Sequence, residues 1–405
     1  MRIALIISVM TLATLLSPVA EANTYPPENA VVIYYKIISE YPPDGDDDIM
    51  NKIRDYADGE IELDEDIIKH LDKYQYIIKD LTVASDIAYC NWGIDFSEGL
   101  ETRLPYVGVF KRYTYLLVSD AKRLVSNGDY HEAIDRCITV EKLASHVGGD
   151  LLIMSLVGSH MSRRSDECIM QILSETPVDT DKLLHLRSQL DHFEDRIKRM
   201  KDGFLAEKKL LEVLCDKKSP HRITLETLEE CEWVESELKL KSENSDLNIK
   251  KELIEKVKSE DAQFFDKALK YHADTVYDFA SAFDRPYMEA YEIVSRRIPD
   301  SIEKDSKEKP EALLTCIFMP ACGKLYGYAI RGQNSLNAIK AALEVYIALA
   351  ETGKMPKALP ANTPRDLFSG KEFVYEITSG GFILRCQGKD IGEDTTHEYE
   401  FKVKK

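Results

Sequence analysis

Apolar residues recur at spacings of three and four along most of this 405-residue chain, as they do on one face of an amphipathic helix. A clear example is the stripe formed by Ile67, Ile68, Leu71, Tyr74, Ile77, Ile78 and Leu81. A helix that is apolar on one side must pack that side against a neighbour. A chain with many such stripes is therefore expected to fold as stacked helices.

The end of the chain follows a different period. A helical stripe in residues 336–350 stops at Gly353, and three short segments then alternate apolar and polar residues. Their apolar positions are Phe373, Tyr375 and Ile377, then Phe382, Leu384 and Cys386, then Tyr399, Phe401 and Val403. We therefore predict a mostly α fold, in which a body of helical hairpins precedes a small C-terminal helix and a three-stranded antiparallel β meander.

The segment around Gly128 and Asp129 predicts one helical hairpin. A first helix runs to about Ser126, and a second helix starts at Tyr130. Asp129 is expected to cap the second helix, and Ala133 is small enough to let the two helices approach closely. The turn resembles the tetratricopeptide hairpin, although the repeat's usual Trp, Gly and Tyr are replaced. The resemblance implies a single helical hairpin rather than an array of several repeats.

Residues 183–204 carry apolar residues at alternating steps of three and four, which is a heptad-like seam. Arg196 and Arg199 fall between these apolar positions, so the pattern places both on the outer, solvated face. We expect one long helix here and a return helix after Ser219-Pro220. The two would form an antiparallel hairpin within the chain.

These patterns divide the chain into successive parts, and a chain of 405 residues is long enough for two or three domains. The predicted parts are a signal peptide in residues 1–22, an N-terminal helical domain in 23–176, a long helical hairpin or bundle in 177–303, a linker with a short helix in 304–332, and a helix with a β tail in 333–405.

The first 22 residues have the features of a cleaved export signal. Arg2 precedes an apolar run from Ile3 to Leu16, and Ala20-Glu21-Ala22 matches the small-x-small pattern of a signal peptidase site. We predict export to the periplasm or to the outside of a bacterial cell, with a retained anchor as the alternative. No later segment has 18 apolar residues in a row, so we expect no stable membrane insertion after cleavage.

The net charge of −18 limits the possible partners. Acidic residues are spread along the chain, and such a surface repels phosphate backbones, so we expect no nucleic-acid partner. A concave face formed by helical hairpins suits a protein or a peptide instead.

The chain contains eight cysteines, and an oxidising compartment would permit disulfides among them. The sequence does not fix their pairing, because eight thiols allow very many arrangements. Cys137 and Cys168 each share a helical face with small or apolar residues, so buried free thiols are the alternative for these two.

The C-terminal tail resembles the C-terminal part of the major pseudopilins of type II secretion. The similarity rests on the helix end at Gly353, the stretch 364–371 with Gly370, and the acidic stretch 388–394. In pseudopilins the final acidic loop can hold calcium, and the resemblance makes three residues weak calcium candidates. These candidates are Asp390, Glu393 and Asp394. The alternative is a solvated acidic turn without metal.

Taken whole, the order of parts is similar to a group of secreted proteins of planctomycetes. Those proteins have an export signal, a helical body with a Cys-x-Trp-Gly loop, a helical hairpin and a tail of the Phe-Ser-Gly-Lys type. The corresponding segments here are 90–93, 128–129 and 368–371. The resemblance implies a fold and a compartment, and no activity comes with it.

Trp92 lies in the first of these segments and is expected to pack its loop onto the helices, with stacking on a ligand as the alternative. The residues to which the sequence assigns structural roles are Trp92, Gly128, Asp129, Ala133, Gly353 and Gly370.

The sequence contains no motif for catalysis or for a cofactor. Its nine histidines include no pair at metal-ligand spacing, and it has no Gly-x-Ser-x-Gly, phosphate-loop or dinucleotide pattern. Catalytic residues therefore stay unassigned, and we expect no cofactor. The leading hypothesis is a non-catalytic interaction or scaffold protein of the cell envelope. The alternatives are a hydrolase-like secreted enzyme with a site assembled from dispersed residues, and an accessory of a secretion or surface apparatus.

Overall fold

The computed structural model describes residues 28–41, 47–193, 195–219, 222–224, 247–319 and 322–404. Within these ranges the chain is mostly helical and ends in a three-stranded antiparallel sheet, which confirms the predicted fold class. The predicted signal peptide and the expected return helix in residues 225–246 lie outside the described ranges.

The helices of the first half are α1 Ala30–Glu40, α2 Asp47–Asp58, α3 Glu65–Lys73, α4 Gln75–Ser85, α5 Pro105–Asn127, α6 Tyr130–Val147 and α7 Leu152–Glu175. Those of the second half are α8 Thr180–Leu190, α9 Arg196–Ala206, α10 Lys208–Cys215, α11 Leu247–Lys258, α12 Ala262–Ala282, α13 Tyr287–Glu292, α14 Ile298–Ser306, α15 Pro310–Phe318 and α16 Cys322–Thr352. A 3₁₀ turn at Phe96–Glu101 precedes α5, and a π-helical turn at Ile293–Arg297 joins α13 to α14. The strands are β1 Val374–Ile377, β2 Gly381–Arg385 and β3 Glu398–Lys402.

The predicted stripe in residues 67–81 belongs to two helices rather than one, because the chain breaks at Tyr74 between α3 and α4. Gln75 accounts for the break. Its side-chain amide donates to the Leu71 carbonyl at 3.2 Å and to the Asp120 carboxylate at 2.9 Å. A side chain thus supplies a hydrogen-bond donor to a carbonyl at the end of α3. The apolar residues on both sides of the break still face the core.

Helices α5 and α6 form the predicted hairpin, and Gly128 closes α5 in the left-handed conformation with φ +86°. Ala133 is buried near the start of α6. The prediction that the Asp129 side chain caps α6 is wrong, because it accepts no hydrogen bond from the first turn. With φ −85° and ψ 62°, Asp129 lacks the extended backbone that aims a capping side chain at those N–H groups.

Helix α7 is the central helix of the body, since it contacts α5, α6, α9, α16 and β3. Four charged side chains lie inside this packing, and none of them is more than 2% exposed. Arg196 of α9 donates to Glu141 of α6 at 3.1 and 3.0 Å and to Asp166 of α7 at 2.7 and 2.9 Å. It also donates to the Gly332 carbonyl of α16 at 2.8 Å, and Arg199 lies 3.8 Å from Glu141.

We call Arg196, Arg199, Glu141 and Asp166 the buried ion network. Its two arginines and two carboxylates balance in charge, as burial in a medium of low dielectric constant requires. Burial lowers the pKa of Arg196, but the charges of Asp166 and Glu141 outweigh that effect and hold the pKa above its usual value. The guanidinium therefore stays charged inside the protein.

The expected position of Arg196 and Arg199 on an outer face is wrong. The seam in residues 183–204 is interrupted after Leu190, and a new helix begins at Arg196. Asp195 caps it by accepting from the backbone N–H of Ile197 at 2.8 Å. The interruption changes the rotational phase of the second segment, so both arginines face α6 and α7 instead of solvent.

The sheet has the predicted order β1-β2-β3 and packs on the body through β3. The hydroxyl of Tyr346 donates to the Lys402 carbonyl at 2.6 Å, and the Lys402 N–H donates to Ser174 Oγ of α7 at 3.3 Å. Gly353, with φ +66°, follows the end of α16, as expected. This helix begins at Cys322, well before the predicted residue 333.

The buried apolar residues form two cores that do not follow the predicted part boundaries. The main core takes residues from α1 through β3, and it crosses the boundaries after residues 176 and 332. A smaller core joins α10, α11, the first part of α12, and α15. Residues 304–306, expected in a linker, are the last turn of α14.

One stretch within Pro310–Thr352 is long enough and apolar enough to cross a membrane, judged by length and composition alone. Core helices share that composition, and 62% of the apolar window is buried within the protein.

Replacing Arg196 by Met tests the buried ion network. The change removes the positive partner of Glu141 and Asp166 and leaves both carboxylates buried, so we expect unfolding free energy to fall by about 3–5 kcal/mol. Urea denaturation followed by circular dichroism measures the loss. The matched control is Lys198→Met on the same helix, where the side chain is exposed and lies 2.5 Å from the exposed Asp202. It should stay within about 0.5 kcal/mol of the wild type. Equal losses in the two variants would contradict this account of the network.

Candidate functional site

A cleft with a volume of about 600 Å³ opens between α2, α3, α5 and the residue that follows α1. Tyr41, His70 and Tyr74 form an aromatic wall. The Tyr41 hydroxyl lies 3.1 Å from His70 Nε2 and donates to Met50 Sδ at 2.9 Å. The Tyr41 and Tyr74 rings meet edge to face with their centroids 4.5 Å apart. Burial and the neighbouring Tyr74 raise the pKa of Tyr41, so its phenol is protonated at neutral pH.

Cationic side chains outnumber acidic ones around this cleft. The cations are Lys52, Lys69, Lys73 and Arg112, and the acids are Asp48 and Asp66. The Lys52 ammonium lies 2.8 Å from Asp66, so these two charges offset each other. The Lys73 ammonium lies 4.9 Å from the centroid of the Tyr74 ring. The lining thus carries four cations against two acids, while Asp64 and Glu65, outside the lining, lie 3.1 Å from Lys52 and 3.5 Å from Lys69.

Helix α3, with Tyr74 directly after it, supplies two residue pairs of the same spacing to this surface. Lys69 and Lys73 stand one helical turn apart, as do His70 and Tyr74. Like charges at this spacing destabilise a helix by about 0.2–0.5 kcal/mol, and the pair of Glu65 and Lys69, 3.5 Å apart at the same spacing, offsets this cost. The apolar stripe of this segment was predicted from its sequence, whereas the two lysines beside it were not recognised as part of a site.

A buried carboxylate outside the cleft joins α3, α4 and α6 to α5. Asp120 on α5 accepts from Gln75 at 2.9 Å, from Arg123 at 2.7 Å and from Arg136 of α6 at 2.8 Å. Arg123 also donates to Asp72 of α3 at 2.7 Å. These bonds hold the junction between α3 and α4 against the α5–α6 hairpin, and they fix the backbone beside Tyr74.

Trp92 lies outside the cleft, in the core between α1, α5 and α6. Its ring stacks between Tyr106, at a centroid distance of 4.0 Å, and Tyr34, at 5.5 Å. Its Nε1 donates to the His146 carbonyl at 2.7 Å. Both faces of the indole are covered by protein, which leaves neither for a ligand.

Asp390 is fully buried, and both of its carboxylate oxygens accept hydrogen bonds. The Tyr287 hydroxyl and the Gly392 N–H donate to one oxygen at 3.0 and 2.9 Å. Arg331 at 3.1 Å and His397 Nε2 at 3.0 Å contact the other. Burial raises the pKa of Asp390, but hydrogen bonds from His397, Arg331 and Tyr287 outweigh it and hold the pKa well below its usual range.

The other two calcium candidates also lie beside cations. Glu393 is 3.4 Å from Arg331, and Asp394 is 2.6 Å from Lys389. Within the described residues, no group of three or more His, Cys, Asp or Glu side chains is arranged to hold a metal ion. Asp390 and Glu393 thus fasten the tail loop to α13 and α16, whereas Asp394 pairs within the loop.

Gly370 belongs to a turn built around another buried carboxylate. It adopts φ +71°, and its N–H donates to the Asp366 carbonyl at 2.8 Å. The Asp366 side chain accepts from the N–H groups of Phe368, Gln387 and Gly388 at 2.8–2.9 Å. This turn joins the segment before β1 to the end of β2, so its role is structural.

A second concave region lies where the two cores meet. His272 of α12 is 3% exposed, and its Nδ1 has no hydrogen-bond partner among the described residues. Burial lowers the pKa of His272 to about 4 and raises that of Glu207 on the opposite wall. The cavity between them measures about 10 Å³, which is room for about one water molecule. His272 also lines a separate cavity of about 250 Å³ with Lys208 and Glu212, which Glu207 does not line.

No protein-family model, curated protein sequence or solved structure matches this chain.

Replacing Asp390 by Asn tests how the tail is held. The amide cannot accept the same charged hydrogen bonds from Arg331 and His397, so we expect a loss of about 2 kcal/mol in unfolding free energy. The control is Asp394→Asn, because that side chain is exposed and Asn tolerates its positive φ of 55°. Both variants are compared by urea denaturation in EDTA and in calcium. A loss for Asp390→Asn that appears only with calcium would contradict the internal pairing.

His272 predicts a specific dependence of stability on pH. Its folded pKa of about 4 lies below the usual 6.5, so the unfolded chain binds the proton more tightly. This contribution to stability is complete above pH 6.5 and is lost as the pH falls towards 4. The His272→Gln variant should therefore lose about 3 kcal/mol less than the wild type between pH 7 and pH 4. Urea denaturation at both pH values measures this, and identical pH profiles would exclude a neutral buried imidazole.

Proposed function

We propose that this protein is a non-catalytic, exported binding protein of the cell envelope, whose cleft between α2, α3 and α5 takes acidic segments of partner proteins. The observation that carries the proposal is the excess of cationic side chains around this cleft in a protein of net charge −18. An acidic surface repels an anion, so a cluster of cations on it favours binding of an anion at that place.

The dimensions and walls of the cleft favour an extended peptide segment. Its volume of about 600 Å³ lies in the range of ligand-binding clefts. The mouth is formed by several helices, so a chain can enter and leave along the surface. Lys69 and Lys73 offer donors to carboxylates, while Tyr74, which is half-buried, offers apolar contact to the stems of glutamate side chains. Carboxylates bound between lysines and aromatic rings are the chemistry that this wall recognises.

The main alternative is an enzyme with a site assembled from dispersed residues, and His272 with Glu207 is the pair that favours it. Perturbed pKa values in a cleft are a common mark of catalytic groups. Here, however, the two groups share space for about one water molecule. The peptide-binding proposal uses a cleft that a ligand of ordinary size can enter.

Binding of a fluorescently labelled oligoglutamate peptide tests the proposal. We expect wild-type protein to bind it with an affinity that falls as salt rises, because the attraction is electrostatic. The double variant Lys69→Gln/Lys73→Gln should bind about tenfold more weakly, since two charge contacts are lost. Fluorescence anisotropy of the full-length protein gives both affinities.

The matched control is Lys79→Gln, which removes an exposed lysine from α4 outside the cleft. It should bind the peptide as the wild type does. An oligolysine peptide should bind no variant more tightly than it binds the wild type. Equal weakening by the double variant and by Lys79→Gln would point to the overall charge rather than the cleft. No binding by the wild type, or cleavage of the peptide, would overturn the proposal.

A further inference from the structure

We propose that a cavity between α10 and α12 is a binding site for a small aliphatic carboxylate, which His272 and Lys270 hold. The two helices pack against each other, and the cavity between them measures about 250 Å³. Its lining consists of Lys208 and Glu212 of α10 and of Leu269, Lys270, His272 and Ala273 of α12. None of these residues lines the cleft between α2, α3 and α5, so the inference is independent of the peptide-binding proposal.

The imidazole of His272 lies in the wall of this cavity and lacks a partner within the protein. The side chain is 3% exposed, and its Nδ1 has no hydrogen bond to any of the described residues. Buried polar groups are nearly always hydrogen-bonded, so an unpaired one marks a place where a water molecule or a ligand supplies the bond. The smaller cavity that His272 shares with Glu207 has room for about one water molecule, which can satisfy one ring nitrogen. The other ring nitrogen is then available to a ligand in the larger cavity.

The protonation state of His272 suits a carboxylate ligand. Burial lowers the pKa of His272 to about 4, so the ring is neutral at pH 7 and carries one N–H group. A water molecule that donates to one nitrogen leaves the proton on the other. That N–H can donate to a carboxylate oxygen, which accepts but cannot donate.

The charges of the lining favour an anion with a single charge. Lys208 and Lys270 are cationic and Glu212 is anionic, so the lining has one positive charge in excess. The Lys208 ammonium lies 3.9 Å from the Glu212 carboxylate, and these two charges offset each other. One carboxylate balances the charge of Lys270, whereas a phosphate dianion would exceed it and be repelled by Glu212.

Helix α12 carries Lys270 between two acids that stay outside the cavity. Asp266 and Asp274 stand one turn before and one turn after Lys270. Neither lines the cavity, and no ion pair joins either of them to this lysine within the described residues. The ammonium of Lys270 therefore remains available to a ligand.

The rest of the lining and the volume limit the ligand to a small molecule with an apolar part. Leu269 and Ala273 stand one turn apart on α12 and supply the apolar contact. A volume of about 250 Å³ is below the range of about 300–1,000 Å³ that is usual for drug-sized ligands. A carboxylate with a short aliphatic chain fits both conditions, and butyrate is the probe of this class.

Isothermal titration calorimetry of the full-length protein with butyrate at pH 7 tests the proposal. So small a ligand binds weakly, and we expect a dissociation constant of about 1 mM. His272→Phe keeps an aromatic ring in the wall but removes both nitrogens, so it should weaken binding about tenfold. Lys270→Gln removes the unbalanced cation and should weaken binding about fivefold. Circular dichroism checks that each variant is folded, and Lys270→Gln decides the test if His272→Phe does not fold.

The matched control is Lys267→Gln, which removes an exposed lysine of the same helix outside the cavity. It should bind butyrate as the wild type does, and so should the Lys69→Gln/Lys73→Gln variant of the cleft. Inorganic phosphate should bind the wild type at least about tenfold more weakly than butyrate does. The proposal is overturned by a wild type that does not bind butyrate, by equal affinity for phosphate, or by butyrate binding that Lys270→Gln leaves unchanged. Weakening of the same size in Lys267→Gln or in the cleft variant would place the ligand elsewhere and overturn it as well.

Discussion

The pairing of Arg196 with Glu141 and Asp166 is the constraint on which the rest of the architecture depends. One guanidinium holds α6, α7 and the start of α16 through five hydrogen bonds. A charge in this position is unfavourable unless every partner is in place, so the helices reach one arrangement together or leave an unpaired ion in the core. The network therefore makes the N-terminal hairpins and the C-terminal helix one body, although the sequence suggests separate parts.

The parts of the fold that the sequence predicted are those determined by local pattern. Gly128 ends α5 through its own backbone conformation, without help from distant contacts. The alternation around Phe382 and Phe401 is enough to indicate paired strands. Arg196 shows the limit of this reasoning. Its partners Glu141 and Asp166 lie 55 and 30 positions away, and periodicity carries no information about which distant charges meet. A heptad pattern assigned this residue to solvent because it assumed an unbroken helix.

The cleft escaped prediction for a related reason. Lys69 and Lys73 are visible as a basic pair on α3, but Arg112 and Tyr41 come from other elements, and their approach depends on how α5 packs. A stripe of apolar residues and a stripe of basic residues overlap in the same turns of α3. The apolar stripe determines which side of α3 is buried. That the basic stripe faces a concave surface is evident only from the positions of the neighbouring helices.

The core and the cleft are linked through a second buried charge. Asp120 joins Gln75 beside the cleft to Arg136 of α6, the helix that also carries Glu141 of the buried ion network. The α5–α6 hairpin thus connects the buried ion network to the junction between α3 and α4. A ligand that meets Lys73 and Tyr74 there finds a backbone already fixed, so its binding energy is not spent on ordering the site. Lys69 and Lys73 repel each other at this spacing, and a carboxylate bound between them, as we propose, would reduce that repulsion.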